Sequence, residues 1–518
     1  MNSPDAADGP AQPQQHRGMI TVSIMLATII QALDGTIANV ALPHMQGNLS
    51  ASQDQITWVL TSFIVASAIT MPLTGWLCDR FGRKNVFLAS IAGFTLASVL
   101  CGIAGSLAQI VLARFVQGVF GAALVPLSQA VLLDINPRHK HGSAMAVWGM
   151  GVMIGPILGP TLGGWLTDAY DWRWVFFINV PVGALALYGA WRYIPNPPAA
   201  RRMRFDMFGF VTLSLAIGAL QMLLDRGEQN DWFASRETWI EAVVLTLSFA
   251  YFAAHTALRP AGQSFFDYRL LKNSNYVTGL VFIAIVGMVL FATRALTPSM
   301  LQGLMGYPAA TAGLVTAPSG LGTMLAMLVV GRLVGRVDVR YLLAAGFGLT
   351  ALSLWQMSRY TLVLSQSDIV WPGVIQGIGL GLVFVPLSTA TFSTLSPEVR
   401  ADGTAIYSLV RNIGSSIGIA LVQAFLTRNV QIAHASITEH VNIANPALQA
   451  AAGQALYTTG GAGAALLNAE ITRQATMVAY VDDFWMMFLM TLLIIPLLFL
   501  MRPARSRDAG PAGHAAME

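Results

Sequence analysis

Of the 518 residues, 55% are hydrophobic and only 10% are Asp, Glu, Lys or Arg. A soluble globular chain carries about 25% charged residues, so a soluble enzyme or a nucleic-acid binder is excluded and an all-α polytopic membrane protein is left. The net charge of +4 is small, and where the positive charges fall matters more than their sum. Two cysteines, Cys78 and Cys101, cannot make a disulfide framework.

Residues 1–18 are polar and read as a disordered tail. The apolar run after them lacks a convincing small-residue cleavage site, so it reads as a retained first span. Runs nearly free of charge occupy 19–42, 55–77, 85–106, 107–131, 143–166, 172–193, 205–224, 238–258, 275–298, 308–330, 341–357, 369–393, 404–427 and 484–501. That is about 14 candidate spans of the length a bilayer demands. The pair near 205–258 is crowded by Asp225–Asn230 and Glu241, but Phe205–Leu224 is apolar and about 20 residues long, which favours 14 spans over 12.

If the N-terminus is cytoplasmic and the spans alternate, 20 of the 29 Lys and Arg residues fall on the cytoplasmic side, 6 fall outside, and Arg114, Arg294 and Arg411 lie within spans. This asymmetry supports the orientation. The chain also repeats itself: Gln117-Gly118, Val125-Pro126-Leu127-Ser128 and Pro137 recur as Gln376-Gly377, Val385-Pro386-Leu387-Ser388 and Pro397. Gly75–Lys84 aligns likewise with Gly331–Arg340, with Gly335 where Asp79 stands. Both copies exit on one side, so the halves are parallel repeats with a substrate cavity between them. The expected organisation is a cytoplasmic tail (1–18), a six-helix bundle (19–200), an inserted hairpin (201–260), a second six-helix bundle (261–501) with an outer loop (429–478), and a cytoplasmic tail (502–518).

Asp34 is the only Asp, Glu, Lys or Arg between Arg17 and Asp54. A carboxylate in a span costs roughly 2.5–3.5 kcal/mol on insertion scales and faces a bundle interior or a wet cavity. It reads as a protonation site; the alternative is an acid that only bonds a neighbouring helix. Arg114 in span four lies at similar depth. Arg114 favours the ionised acid and desolvation favours the neutral one, so the pair is either a poised titrating site or a permanent structural ion pair.

Gly75-Trp76-Leu77-Cys78-Asp79-Arg80-Phe81-Gly82-Arg83-Lys84 joins spans two and three. Its glycines permit a tight turn, and its basic cluster alone would serve as a topology signal. Asp79 argues for more. The stretch resembles the loop motif G-x-L-x-D-R-x-G-R-K of the major facilitator superfamily, with Trp76 where a smaller residue is usual. The resemblance implies that fold, plus a gate made by Gly75, Asp79, Arg80, Gly82, Arg83 and Lys84. In that gate Asp79 meets the start of the span near Gly403, and Arg83 meets Asp134.

Gly151, Gly155, Gly159 and Gly163 recur every four residues in span five, and Gly164 follows. The stripe bares one helix face for close contact, while Pro156 and Pro160 free carbonyls and bend the helix. The pattern resembles the antiporter motif of the same superfamily, which exporters carry and uptake symporters generally lack. Leu33-Asp34-x-Thr36-x-x-x-Val40-Ala41-Leu42-Pro43 resembles the signature of the 14-span drug:proton antiporters of the EmrB/QacA type. Glu470–Ala475 resembles the EmrB-like branch. There a periplasmic adaptor and an outer-membrane channel often complete the pump, and the 429–478 segment, read as partly helical, is a candidate adaptor contact.

The reading is a proton-driven exporter of amphipathic drugs or toxic compounds in the inner (cytoplasmic) membrane, with both termini cytoplasmic. It needs no cofactor beyond the proton motive force. Gln117, Arg411 and Asn412 are candidate polar residues of the cavity; Arg411 could bind an anionic group or merely reach the interface. Arg294 is near the outer end of its span and could snorkel. A metabolite uptake symporter is a second reading, against which the Gly-Pro pairs argue. A membrane-embedded enzyme or receptor is a third, and no metal-ligand spacing, nucleophile–base set or phosphate loop supports it.

Overall fold

Once in lipid, each backbone N–H and C=O must be satisfied within its own segment, so an apolar chain of this kind spans as helices. The computed structural model describes residues 16–137, 140–195, 205–258, 269–393, 395, 399–441 and 461–500. It contains α1 (Arg17–Asn48), α2 (Trp58–Phe81), α3 (Arg83–Ile103), α4 (Leu107–Ile135), α5 (His141–Ala169), α6 (Trp174–Tyr193) and α7 (Met207–Arg226). These are followed by α8 (Arg236–Leu258), α9 (Ser274–Leu304), α10 (Ala309–Leu333), α11 (Val339–Met357), α12 (Gln366–Ser393), α13 (Arg400–Glu439) and α14 (Gly461–Ile494). Among the described residues, 13 helices are long and apolar enough to cross a membrane. The remaining one, α11, has 19 residues, with Arg340, Tyr341, Trp355 and Gln356 diluting its ends.

Helix α1 packs on α5 and α6, as α9 packs on α13 and α14; α2 and α3 pack on α4, as α10 and α11 pack on α12. The close contacts repeat too. Gly155 abuts the backbone of Ala32 and Gly414 that of Ala284, while Gly118 lies on Phe63 and Gly377 on Ser319. The first set meets the second through α5 on α10 and through α2 and α4 on α13.

Helix α7 packs on both α2 and α13. Asp225 accepts a hydrogen bond from Thr61, and Gln221 donates to Ser416 at 2.6 Å. Helix α8 touches little but α7, and only 6% of its most apolar window is buried. It is a lipid-facing helix, tied back to the start of α7 by His255, whose Nε2 lies 3.0 Å from Asp206. Trp76, the departure from the loop pattern, has a purpose here: its ring meets Phe205 at 4.6 Å, where the inserted hairpin begins.

Two expected boundaries shift. Arg17 and Gly18 already belong to α1, while residues 1–15 and the 502–518 tail lie outside the described residues. Within 429–478, α13 continues to Glu439 and α14 starts at Gly461, while 442–460 lies outside the described residues. At 40 residues, α13 is about 60 Å long, roughly twice a hydrocarbon core of about 30 Å. Its far end therefore projects beside α14, joined to it where His434 meets Asn468 at 3.1 Å.

The glycine stripe of α5 faces α1. Gly155 lies on the Ala32–Leu33 peptide, Gly159 on Thr36, and a methyl on Gly163 would meet Ile37 at 2.8 Å. Thr36 also donates to the Gly155 carbonyl at 3.1 Å. Gly164, which follows the stripe, faces open space, because one residue further along a helix turns the side chain away by about 100° at 3.6 residues per turn. Pro156 and Pro160 sit inside an unbroken α5. The opposite side of α5 meets α10, with Ile157 against Gly320 and Pro160 against Gly313. Gly155→Ala is expected to destabilise the protein by about 1–3 kcal/mol, since α1 backbone cannot yield to the methyl group. Gly164→Ala should be neutral. Thermal unfolding midpoints in detergent compare the two, and equal midpoints would refute close α1–α5 packing.

Candidate functional site

Asp34 lies on the face of α1 turned into the first six helices, and its side chain is 0% exposed. Arg114 of α4 donates to it at 2.6 Å, Gln117 of α4 at 2.9 Å and Asn179 of α6 at 3.0 Å. All three donors are N–H groups, an arrangement suited to an anionic carboxylate. Arg114, 1% exposed, also donates to the Val59 carbonyl at 3.1 Å and to Gln117 at 2.6 Å. Its guanidinium stacks 4.3 Å from the Phe63 ring centroid. Ser98 of α3 accepts from Gln117 at 2.7 Å and from Asn179 at 3.3 Å. Four helices thus converge on one acid, and with the site closed to solvent neither charge finds compensation except in the other.

This geometry corrects one expectation. Gln117 does not line a cavity between the halves; one turn from Arg114 on the same face of α4, it is a ligand of Asp34. Asn179 and Ser98 had no motif to mark them. The signal available was weak: a lone Asn beside the Pro181 of span six, at the depth of Asp34.

The second cluster lies on the basic face. Gly82 closes α2 with φ of 83°, and Gly335 takes φ of 92° after α10. Gly335 is therefore the turn residue matching Gly82 rather than a replacement for Asp79. Arg83 pairs with Asp134 at the end of α4, as the motif implies. Arg400, at the start of α13, binds the other oxygen of Asp134 at 2.6 Å. One carboxylate thus joins α3, α4 and α13. Lys84 donates to the Trp191 carbonyl of α6 at 2.7 Å. The carboxylate resting on Gly75 is that of Asp402, adjacent to Gly403, so glycine is needed at 75 because any side chain would occupy its place. Asp79 and Arg80 lie on the same last turn of α2, and Asp79 takes part in the electrostatics around buried Cys78 together with Arg83 and Asp402. Beside them, a methyl on Gly142 of α5 would meet Val334 at 2.8 Å, and one on Gly331 would meet Ala146 at 2.7 Å. The basic face is closed in this conformation.

Arg294 does not snorkel. Its guanidinium turns inward from α9 to Met153 of α5, with Nη2 3.9 Å from the sulfur. Arg411 and Asn412 are partly buried on α13, and the Arg411 Nε is buried with no hydrogen-bond partner. Asp483 of α14 is a further buried acid that no motif marked; both carboxylate oxygens lack a partner among the described residues. Among those residues no group of three or more His, Cys, Asp or Glu could hold a metal ion.

Residues 24–419 match the family model described as Major Facilitator Superfamily. The chain is 36% identical over 499 residues to the multidrug export protein EmrB of Escherichia coli K12, covering 96% of this chain and 97% of that one. It is 33% identical over 500 residues to the fatty acid resistance protein FarB of Neisseria gonorrhoeae, at 96% and 97% coverage. In fold it is similar to the human organic anion transporter MFSD10, with a TM-score of 0.58 at 14% identity over 93% of this chain and 100% of that one. The proton:xylose symporter XylE gives 0.57 at 13% identity, over 92% and 96%. Two six-helix sets in parallel repeat, a superfamily match over most of the length, and full-length identity to exporters agree: this multi-pass membrane transporter belongs to the major facilitator superfamily, in its EmrB-like branch.

Proposed function

We propose that the protein exports amphipathic drugs and similar toxic compounds from the cytoplasm in exchange for protons, by alternating access, with the basic face cytoplasmic. The observation that carries this reading is the Asp34 cluster. A carboxylate buried completely in a membrane bundle, matched by one guanidinium and two amides, is costly to build and gains its use from changing charge. Its partners come from α4 and α6, while its own helix is backed by the glycine stripe of α5. Because α5 also packs on α10, a change at Asp34 reaches the seam between the halves through α1 and α5. Proton and substrate then occupy separate places, and their coupling is conformational.

Asp34 is the proton carrier in this reading and Arg114 tunes it. Protonation removes the charge that holds Arg114, Gln117 and Asn179 together and so favours a different packing of the bundle. Asp134, bridging Arg83 and Arg400, latches the cytoplasmic side while the outer side is accessible. The long ends of α13 and α14, which expose Ile432 and Leu466, project on the outer side and offer a periplasmic adaptor a docking surface leading to an outer-membrane channel. The relatives' names, multidrug export and fatty acid resistance, accord with apolar or amphipathic cargo.

Asp34→Asn should abolish drug accumulation driven by a pH gradient in everted vesicles, read per amount of folded protein because Arg114 is left buried without its counter-charge. One elementary charge across about 100 mV is worth roughly 2.3 kcal/mol, or about 50-fold in concentration, and that factor should vanish. Drug-induced alkalinisation of an acidified vesicle lumen should vanish with it. Undiminished exchange in Asp34→Asn would remove Asp34 from the mechanism, and drug-induced acidification would indicate uptake instead. Asp134→Asn removes two charge-assisted hydrogen bonds, each worth about 1.5–3 kcal/mol at most and less where solvent reaches them. The cytoplasmic ends of α4 and α13 should then open more often, raising thiol labelling of a cysteine placed at Ala146 about tenfold. Unchanged labelling would dismiss the latch.

A further inference from the structure

The charges inside the transporter do not balance. Asp34 is matched by Arg114, yet two more guanidiniums lie in the second set of helices with no acid paired to them among the described residues. Arg294 of α9 points its guanidinium at a thioether, Met153 Sδ at 3.9 Å, and sulfur is a weak acceptor. Arg411 of α13 leaves its Nε buried and without a partner. Neither forms a salt bridge among the described residues. The other acids of these helices are engaged or remote: Asp206 with His255, Asp225 with Thr61, Asp134 with Arg83 and Arg400. Asp483 belongs to an apolar neighbourhood with Tyr480, Phe484 and Met487 packed against Tyr360 and Met357.

Position gives these cations a role. Arg294 leaves α9 in the second set and reaches α5 in the first, so its head group lies in the seam that the substrate must cross. Arg411 lies nearer the basic face. Residues 284–288 of α9 rest against 411–418 of α13, which places Arg294 further out than Arg411 by on the order of 15 Å at 1.5 Å per residue. Both residues are only partly buried, so each guanidinium has room for a partner the protein itself does not supply. An unpaired guanidinium held out of bulk water is costly, and a buried cation in a span ordinarily pairs or marks a substrate path. The thioether against Arg294, that of Met153, adapts to varied apolar shapes.

We propose that Arg294 and Arg411 receive the acid group of the substrate, so that the cargo class is amphipathic organic anions, with Arg294 the specificity-determining residue at the seam. This rests on the efflux reading above. The guanidinium fork matches a carboxylate bidentately, the apolar body of the substrate lies along the apolar seam beside Met153, and Arg411 is the earlier station on the way from the cytoplasmic side. A cationic amphiphile meets two uncompensated positive charges and is disfavoured, a rejection built from repulsion rather than shape.

The test uses full-length protein in lipid nanodiscs and three probes of one chain length: dodecanoate, methyl dodecanoate and dodecyltrimethylammonium. Wild type should bind dodecanoate at least about tenfold tighter than the ester, the scale of one charge-assisted hydrogen bond, and the ammonium weakest. Arg294→Gln should weaken dodecanoate about tenfold and leave the ester unchanged. Arg294→Lys should fall between, because it keeps the charge and loses the fork. Equal affinity for carboxylate and ammonium would overturn the proposal. So would dodecanoate binding indifferent to Arg294→Gln, or a loss shared equally by all three probes, which is the mark of a merely structural arginine. Direction is read separately in proteoliposomes. Inward movement with anion preference intact would sink the efflux reading alone, and proton-driven efflux without that preference would sink this one alone.

Discussion

A carboxylate with no access to water must find its compensation in the protein, and the first six helices are arranged around that requirement. Asp34 draws Arg114 and Gln117 from α4, Asn179 from α6 and, one bond further, Ser98 from α3. Removing one partner of a buried ion pair costs about 3–5 kcal/mol, so the cluster is stable while complete and unstable once its charge changes. In the proposed mechanism, protonation of that one carboxyl would release the packing it organises.

Helix α5 links α1 to the seam because its two sides pack on different helices. One side is bare glycine, pressed on the α1 backbone at the residues flanking Asp34; the other holds Ile157 and Pro160 against α10. Packed interiors shift between discrete arrangements rather than deform continuously. A movement of α1 relative to α5 is therefore passed to the seam. On the basic face, Asp134 ties three helices together through two arginines, and its partial exposure makes that tie one of modest strength. The inserted hairpin adds a further tie: α7 bonds to α2 through Asp225 and to α13 through Gln221, one helix from each side of the seam.

Much of this was legible in the residues themselves. The spans, the parallel repeat and the glycine stripe follow from local rules: apolar length, recurrence at a fixed offset, and a four-residue period that shares a helix face. Asp34 and Arg114 were legible because a charge in an apolar run has few reasons to exist, and helix rise alone put both at one depth. Gly82 was readable as a turn requirement, whereas Gly75 lies inside α2 and is needed because Asp402 rests on it. The outer segment 429–478 was readable only as partly helical, since its Ala, Gln and Asn content suits helix and loop alike.

The rest depended on which helices become neighbours. Asn179 and Ser98 carry no charge and no motif, and only the packing of α6 and α3 beside α1 brings them to the carboxylate. Gln117 looked like a cavity residue until the rotation of α4 turned it into the bundle. Arg294 could have snorkelled or turned inward, and the approach of α5 decided for Met153. Trp76 departed from its motif for a reason visible only where Phe205 docks. By itself the sequence determined the helices, their order, and that an acid and a base share a depth, because length, period and desolvation cost act along one chain. Tertiary structure decided which side chains complete the charge and which cations stay unmatched, because facing and rotation are set by contacts between segments that no local pattern encodes.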